Sequence, residues 1–189
     1  MAPPPRKHNE MKQPELNVSQ WFNTPEAITL TSLKGKVIVL EAFQMLCPGC
    51  VAHGIPLAQR VAAAFPKDQV AVLGLHTVFE HHDAMTPVSL QAFLLEYRIT
   101  FPVGIDTPSD SGMPKTMQAF GMRGTPSLLV FDKSGALRAH HFGDVSDLLL
   151  GAEIATLLGD VDGQEQVTKN SANPSSVSAG RCHVQKPSA

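Results

Sequence analysis

The sequence predicts an α/β fold in which a sheet carries helices on both faces. Three observations predict it. Short runs rich in Val, Ile, Leu and Thr alternate with longer segments of helical type, a turn signal joins one pair of runs, and the order reads strand, helix, strand, helix, hairpin, helix. The alternation fills a single window, residues 16–159, with no internal repeat. A chain of 189 residues, 43% hydrophobic and 17% charged, is expected to hold one such domain flanked by tails.

Taken in order, residues 27–33 (AITLTSL), 36–43 (KVIVLEAF), 70–78 (VAVLGLHTV) and 127–131 (SLLVF) have the β-branched and aliphatic content of strands. Asp132-Lys133-Ser134-Gly135 is a turn signal that joins 127–131 to 136–142 as an antiparallel hairpin. Residues 51–65, 88–97 and 145–158 are the helical segments. In the last, Val145, Leu148, Leu149, Ile154, Leu157 and Leu158 roughly follow one helix face, with Asp144 as the expected N-cap. Gly35 and Gly104 sit where turns are expected.

Both ends read as disordered tails. Residues 1–15 carry four prolines and no apolar run, so neither a signal-peptide core nor a membrane span is expected there, and a cytoplasmic address follows as the expectation. Residues 160–189 contain no Leu, Ile, Phe or Met and are too polar to offset the entropy of ordering. With 15 Lys+Arg against 17 Asp+Glu, the formal charge of −2 offers no footprint for nucleic acid or an anionic membrane.

Three cysteines cannot form the disulfide framework of a small secreted scaffold, which points instead to chemistry. Cys47-Pro48-Gly49-Cys50 follows a buried-looking strand and opens a helical segment. At a helix N-terminus the first thiol faces unpaired backbone N–H groups and the positive end of the dipole, which favours its thiolate. Pro48 suits the first turn because its missing N–H would have no partner there. Cys50, one turn in, is placed to attack a mixed disulfide formed on Cys47. Cys47 is thus expected as nucleophile and Cys50 as resolving thiol. The competing readings are two inert cysteines or half of a zinc site; the latter would need two further ligands at matching spacing.

These residues resemble the thioredoxin superfamily, and within it the TlpA-like redoxins, over about residues 21–158. Ser32-Leu33-Lys34-Gly35-Lys36 before an apolar strand is similar to the family's N-terminal β-hairpin, and Arg123-Gly124-Thr125-Pro126 to its cis-proline loop. Gly143 before the last helix fits the same scheme, as does Ile99-Thr100-Phe101-Pro102 after a central helical insert. The resemblance implies a thioredoxin fold, a central mixed sheet flanked by helices, and a thiol–disulfide oxidoreductase with no cofactor beyond its Cys47–Cys50 disulfide. It implies a cis bond at Pro126, with Thr125, Pro126, Pro48 and Gly49 facing an extended substrate chain. An ordinary loop proline is the plainer alternative.

Glu41 stands six residues before Cys47, where the resemblance implies a buried acid. On an apolar strand its carboxyl would be costly to ionise and could take the proton of Cys50; a place on the solvent side of the strand is the alternative. TlpA-like proteins usually read CxxCxxE with a proline two residues later, whereas this chain continues Val51-Ala52-His53-Gly54-Ile55-Pro56. His53 takes the Glu position, and Gly54 looks like one extra residue before the proline. At i+3 from Cys50, His53 is expected near that thiol, assisting proton transfer or stabilising a thiolate, unless it is a surface histidine. Gly54 and Pro56 predict a kinked or bulged helix.

His76, His81-His82 and His140-His141 suggest a metal, but adjacent strand residues point to opposite faces, and copper chaperones of the superfamily typically show CxxxC, so no metal is expected. Glu80-His81-His82-Asp83 reads as a solvated loop that could border the site. A peroxidase of the peroxiredoxin pattern would need Pro at 40 and Thr or Ser at 44, which hold Leu40 and Gln44. The leading expectation is therefore a monomeric, antioxidant thiol–disulfide oxidoreductase working in the reducing direction, with disulfide-bearing proteins or small thiols as substrates and an external thiol as reductant. A metal carrier, a non-catalytic binding module and a thiol peroxidase are the alternatives. Cys182, beside His183, could reach Cys47 from the tail as a third redox partner, or be incidental.

Overall fold

The computed structural model describes residues 14–160; Cys182 and the expected tails lie outside them, except for Pro14, Glu15 and Asp160, and Glu15 is held by hydrogen bonds to Leu30 and Thr31. The elements are β1 (Val18–Phe22), β2 (Val37–Phe43), α1 (Ile55–Ala64), β3 (Val70–His76), α2 (Pro87–Glu96), β4 (Val103–Asp106), α3 (Lys115–Ala119), β5 (Ser127–Phe131), β6 (Leu137–Phe142) and α4 (Asp147–Gly159). Six strands form one sheet in the order β1-β4-β3-β2-β5-β6. β2 runs parallel to β3 and antiparallel to β5, so the sheet is mixed, as a thioredoxin fold requires.

β2 is apolar almost throughout and buried at every position, because both of its faces are covered. Val37, Val39 and Phe43 face a core completed by Ile55, Leu57, Ala58 and Val61 of α1, Leu90 and Leu94 of α2, and Leu150, Ile154 and Leu157 of α4. Ile38, Leu40 and Ala42 face a second core with Leu73, Leu75, Met117, Phe120 and Met122. The catalytically interesting end of β2 is thus held rigid from both sides.

The expected hairpin β5–β6 forms, with Gly135 in the left-handed region at φ +90. The helical insert is α2, whose N-cap Thr86 accepts the Ser89 N–H at 3.2 Å. Other expectations need correction. Residues 27–33 are not a strand, and among the described residues they form no N-terminal β-hairpin with β2; Thr31–Leu33 form a 3₁₀ turn instead. Local and remote side chains satisfy the backbone there: Ser32 Oγ donates to Thr29 O at 2.7 Å, and the carboxylate of Glu15, from before β1, accepts the N–H groups of Leu30 and Thr31. Two strands lie outside the expected runs: β1, at the sheet edge, pairs antiparallel with β4, and β4 pairs parallel with β3.

Gly104 is not in a turn but inside β4. A Cβ there would meet the Val18 methyls at 2.8 and 2.9 Å, so β1 packs on the space its side chain would fill. The N-cap of α4 is Ser146, not Asp144, which lies two residues before the cap.

Candidate functional site

The loop after β2 brings Cys47 to the start of a helical run that opens at Pro48 and continues into α1. Cys47 occupies the N-cap position: its carbonyl accepts the Val51 N–H at 3.1 Å, and its Sγ accepts the Cys50 N–H at 3.3 Å. The sulfur therefore stands at the N-terminal end of the helical run, where the expected nucleophile was placed. Cys47 is half-buried while Cys50 is fully buried, so only the first sulfur can be approached from outside. Burial, and then the contact with Cys47, push the Cys50 thiol up.

The loop before β5 faces this pair. The Thr125–Pro126 peptide bond is cis, and the Cys47 thiol donates to the Thr125 carbonyl at 3.5 Å. Gly49 fits against the same loop, since a Cβ on it would lie 3.3 Å from Pro126 Cδ. Of the residues expected to face substrate, Pro48 is exposed, Gly49 and Thr125 are half-buried, and Pro126 is buried.

Glu41 points into the core on the side of α1, at 1% exposure, so the solvent-side alternative does not hold. In the sheet it lies opposite Gly74 on β3 and Leu128 on β5. Burial, reinforced by the nearby Cys47, raises its carboxyl well above the usual carboxylate range. Its Oε1 has no protein hydrogen-bond partner.

The expected bulge is present: Cys50–Gly54 form a π turn, and α1 follows at Ile55. A π turn is a single extra residue absorbed into a helix, which matches Gly54 as the additional residue before Pro56. It also corrects the expected place of His53. A π turn closes i→i+5 rather than i→i+4, so the residue three along no longer stacks on the first. The His53 side chain is 56% exposed, with Nδ1 3.8 Å from Asp144 Oδ1. It stands on the outer rim, while the Cys50 side chain points inward.

Two residues of the site were not singled out by sequence reasoning. Gln44 is buried; its carbonyl accepts the Cys47 N–H at 3.2 Å, and its side chain reaches Phe79 N and Glu80 Oε1, both at 3.4 Å. The Glu80 loop therefore does border the site, through Gln44. The only available signal was a polar residue ending an apolar strand. Gly54, discussed below, was noticed as an insertion but not as part of the site. His76 is fully buried with its ring 5.4 Å from Phe43, and His141 Nε2 pairs with Glu153 at 2.9 Å. Among the described residues, no group of three or more His, Cys, Asp or Glu side chains is placed to hold a metal ion. No helix among them is long and apolar enough to cross a membrane.

Comparison with known proteins agrees with this geometry. The crystal structure of the thioredoxin-like superfamily protein SPOA0173 is 74% identical, covers 80% of this chain and 98% of its own, and superposes with a TM-score of 0.78. A thiol-disulfide isomerase from Corynebacterium glutamicum is 45% identical over 79% of this chain and 97% of its own, with a TM-score of 0.76. Among curated relatives, protein DipZ of Mycobacterium bovis is 26% identical over 145 residues, and this chain spans about one fifth of DipZ's length, the matched part being 20% of that protein. Residues 10–140 match the sequence model described as AhpC/TSA family. With a redoxin sheet, a CxxC pair at a helix N-terminus and a cis-proline loop beside it, the chain belongs to the AhpC/TSA family, in the TlpA-like branch of the thioredoxin superfamily.

Proposed function

We propose that this protein is a thiol–disulfide oxidoreductase that reduces disulfides through Cys47 and Cys50. The observation that carries the reading is the asymmetry of the pair: an approachable Cys47 sulfur at the helix N-cap beside the cis-proline loop, and a buried Cys50 behind it. The Cys47 thiolate attacks a substrate disulfide, forming a mixed disulfide and releasing one substrate thiolate. Cys50 loses its proton to Glu41 and attacks the Cys47 sulfur, closing the Cys47–Cys50 disulfide and releasing the second substrate thiol. Two electrons pass from the protein to substrate, and an external thiol reductant restores the dithiol. No dissociable cofactor is needed.

Thr125 and Pro126, with Pro48 and Gly49, form the surface on which an extended chain lies during the mixed-disulfide step. A reducing, cytoplasmic compartment and a monomeric protein complete the reading, with an antioxidant role in returning exposed disulfides to thiols. Leu40 and Gln44 speak against peroxide reduction of the peroxiredoxin pattern. Reduction of insulin by dithiothreitol tests the activity. Turnover should rise above the uncatalysed rate with the wild type and be lost in Cys47→Ser, while retained metal with no turnover would favour a carrier. A redox titration of the Cys47/Cys50 couple tests the direction: a potential near that of cytosolic reductants supports reduction, and a strongly oxidising one overturns it.

A further inference from the structure

Gly54 has a helical backbone at φ −61 and ψ −54, a conformation open to any residue. In a helix, glycine costs about 1 kcal/mol relative to alanine. Its presence is explained by space, not by dihedral freedom. A Cβ at Gly54 would collide with Glu41 Oε1 and lie 2.9 Å from Glu41 Cδ and 3.0 Å from Pro126 Cβ. The missing side chain is therefore the slot that receives the Glu41 carboxyl.

Three features converge on that slot. Gly54 ends the π turn that Cys50 begins, so the inserted residue closes the turn bearing the resolving thiol. Both are buried on the inner side of that turn, whereas His53 between them is turned outward. Glu41, anchored in the centre of the sheet, reaches this turn at Gly54, and Pro126 of the cis-proline loop closes on the same point.

We propose that Gly54 is a positioning residue for the resolving step: by leaving its side-chain space empty, it admits the Glu41 carboxyl against the Cys50 turn and so sets the proton acceptor for Cys50. The inference rests on the Cys47/Cys50 exchange proposed above. In that exchange the proton moves from Cys50 Sγ to the Glu41 carboxylate as the Cys50–Cys47 bond forms and the Cys47–substrate bond breaks.

The test, with every variant made in a Cys182→Ser parent so that only the pair reacts, is the two-phase release of chromophoric thiolate from 5,5′-dithiobis(2-nitrobenzoate). Attack by Cys47 releases the first equivalent, and resolution by Cys50 releases the second. Gly54→Ala should slow the second phase by about 10-fold or more near neutrality and change its pH profile, leaving the first phase within about twofold. Glu41→Asp, whose shorter side chain withdraws from the slot, should also slow the second phase. The double variant Glu41→Asp/Gly54→Ala should be faster than the product of the two single effects, because the shorter acid no longer meets the added methyl.

An unchanged second phase in Gly54→Ala overturns the proposal. So does a slowed second phase that tracks a loss of stability in urea and shows no coupling to Glu41→Asp. Should Gly54→Ala fail to fold, recovery of folding in the double variant supports the slot. If neither folds, Glu41→Asp alone decides, and an unaltered second phase in it overturns the proposal. Failure of the underlying exchange looks different: the Cys182→Ser parent itself would release one equivalent, and adding Cys50→Ser would leave that unchanged.

Discussion

Two buried carboxyls in the same sheet meet opposite treatment. Asp106, at the end of β4 and 2% exposed, accepts the Thr116 N–H at 2.8 Å, the Met117 N–H at 3.0 Å and the Thr77 hydroxyl at 3.0 Å. It thereby caps α3 from another strand, since that helix has no side-chain cap of its own. Burial raises its carboxyl, and those hydrogen bonds oppose the rise. Glu41 is equally buried, but burial, and then the neighbouring Cys47, both raise it, and its Oε1 has no hydrogen-bond partner to oppose the rise. The comparison separates an acid fastened to the backbone, which holds the fold, from an acid left short of partners beside a reactive thiol.

The largest effect expected from breaking this contrast is on stability. Asp106→Ala leaves three buried donors unpaired, and urea unfolding should show a loss of about 4 kcal/mol, with thiol reactivity in the folded protein unchanged. Glu41→Gln should do the reverse: the second phase of disulfide exchange should slow by about 10²-fold while folding is retained. Its stability should also lose a pH dependence. Because the folded carboxyl is raised, the native state keeps a proton that the unfolded chain sheds. Glu41 therefore withdraws stability as pH rises from the ordinary glutamate range through its folded value, and Glu41→Gln flattens that decline.

His76 sharpens the comparison from the basic side. Its ring is 0% exposed, neither nitrogen has a protein partner, and burial pushes it down to about 4. Here the unfolded chain takes up the proton first. Stability is full above the ordinary imidazole value of about 6.5 and is lost as pH falls toward 4. Relative to the wild type, the stability change of His76→Phe should shift in the variant's favour by about 2 kcal/mol between pH 7.5 and pH 5, measured by urea unfolding. The smallest effect is expected from His53→Gln. With the ring on the rim facing Asp144, the pH dependence of thiol alkylation should stay within about twofold of the wild type at each pH, in contrast to Glu41→Gln.

What was legible in the sequence was what local pattern determines. The CxxC pair could be placed at a strand-to-helix junction because the apolar run before it and the helical segment after it are both strong. The hairpin β5–β6 was readable from Asp132-Lys133-Ser134-Gly135, whose Asp132 side chain accepts from Ser134 N at 2.9 Å and Ala136 N at 3.0 Å. The failures depend on distant contacts. β1 (VSQWF) and β4 (VGID) are short and weakly patterned; β4 is held between β3 and β1, and β1 pairs with β4 at the sheet edge. Residues 27–33 alternate like a strand, yet Thr29, Ser32 and the remote Glu15 supply hydrogen bonds that draw the backbone into a 3₁₀ turn. In the site, burial of Glu41 could be argued from its apolar strand, but the room that receives it belongs to Gly54 in another element. The outward turn of His53 follows from a π turn whose presence was foreseen and whose rotation of the side chains was not.

The π turn also divides the helix into two independently adjustable parts. Because the additional residue is absorbed between Cys50 and Gly54, Ile55, Leu57, Ala58 and Val61 still face the core in the ordinary helical rhythm. A lengthening near the sulfurs is therefore not transmitted down the helix as a rotation that would unseat its packing. The reactive tip can be re-equipped, here with a glycine facing inward and a histidine facing outward, while the rest of the helix keeps its seat on the sheet.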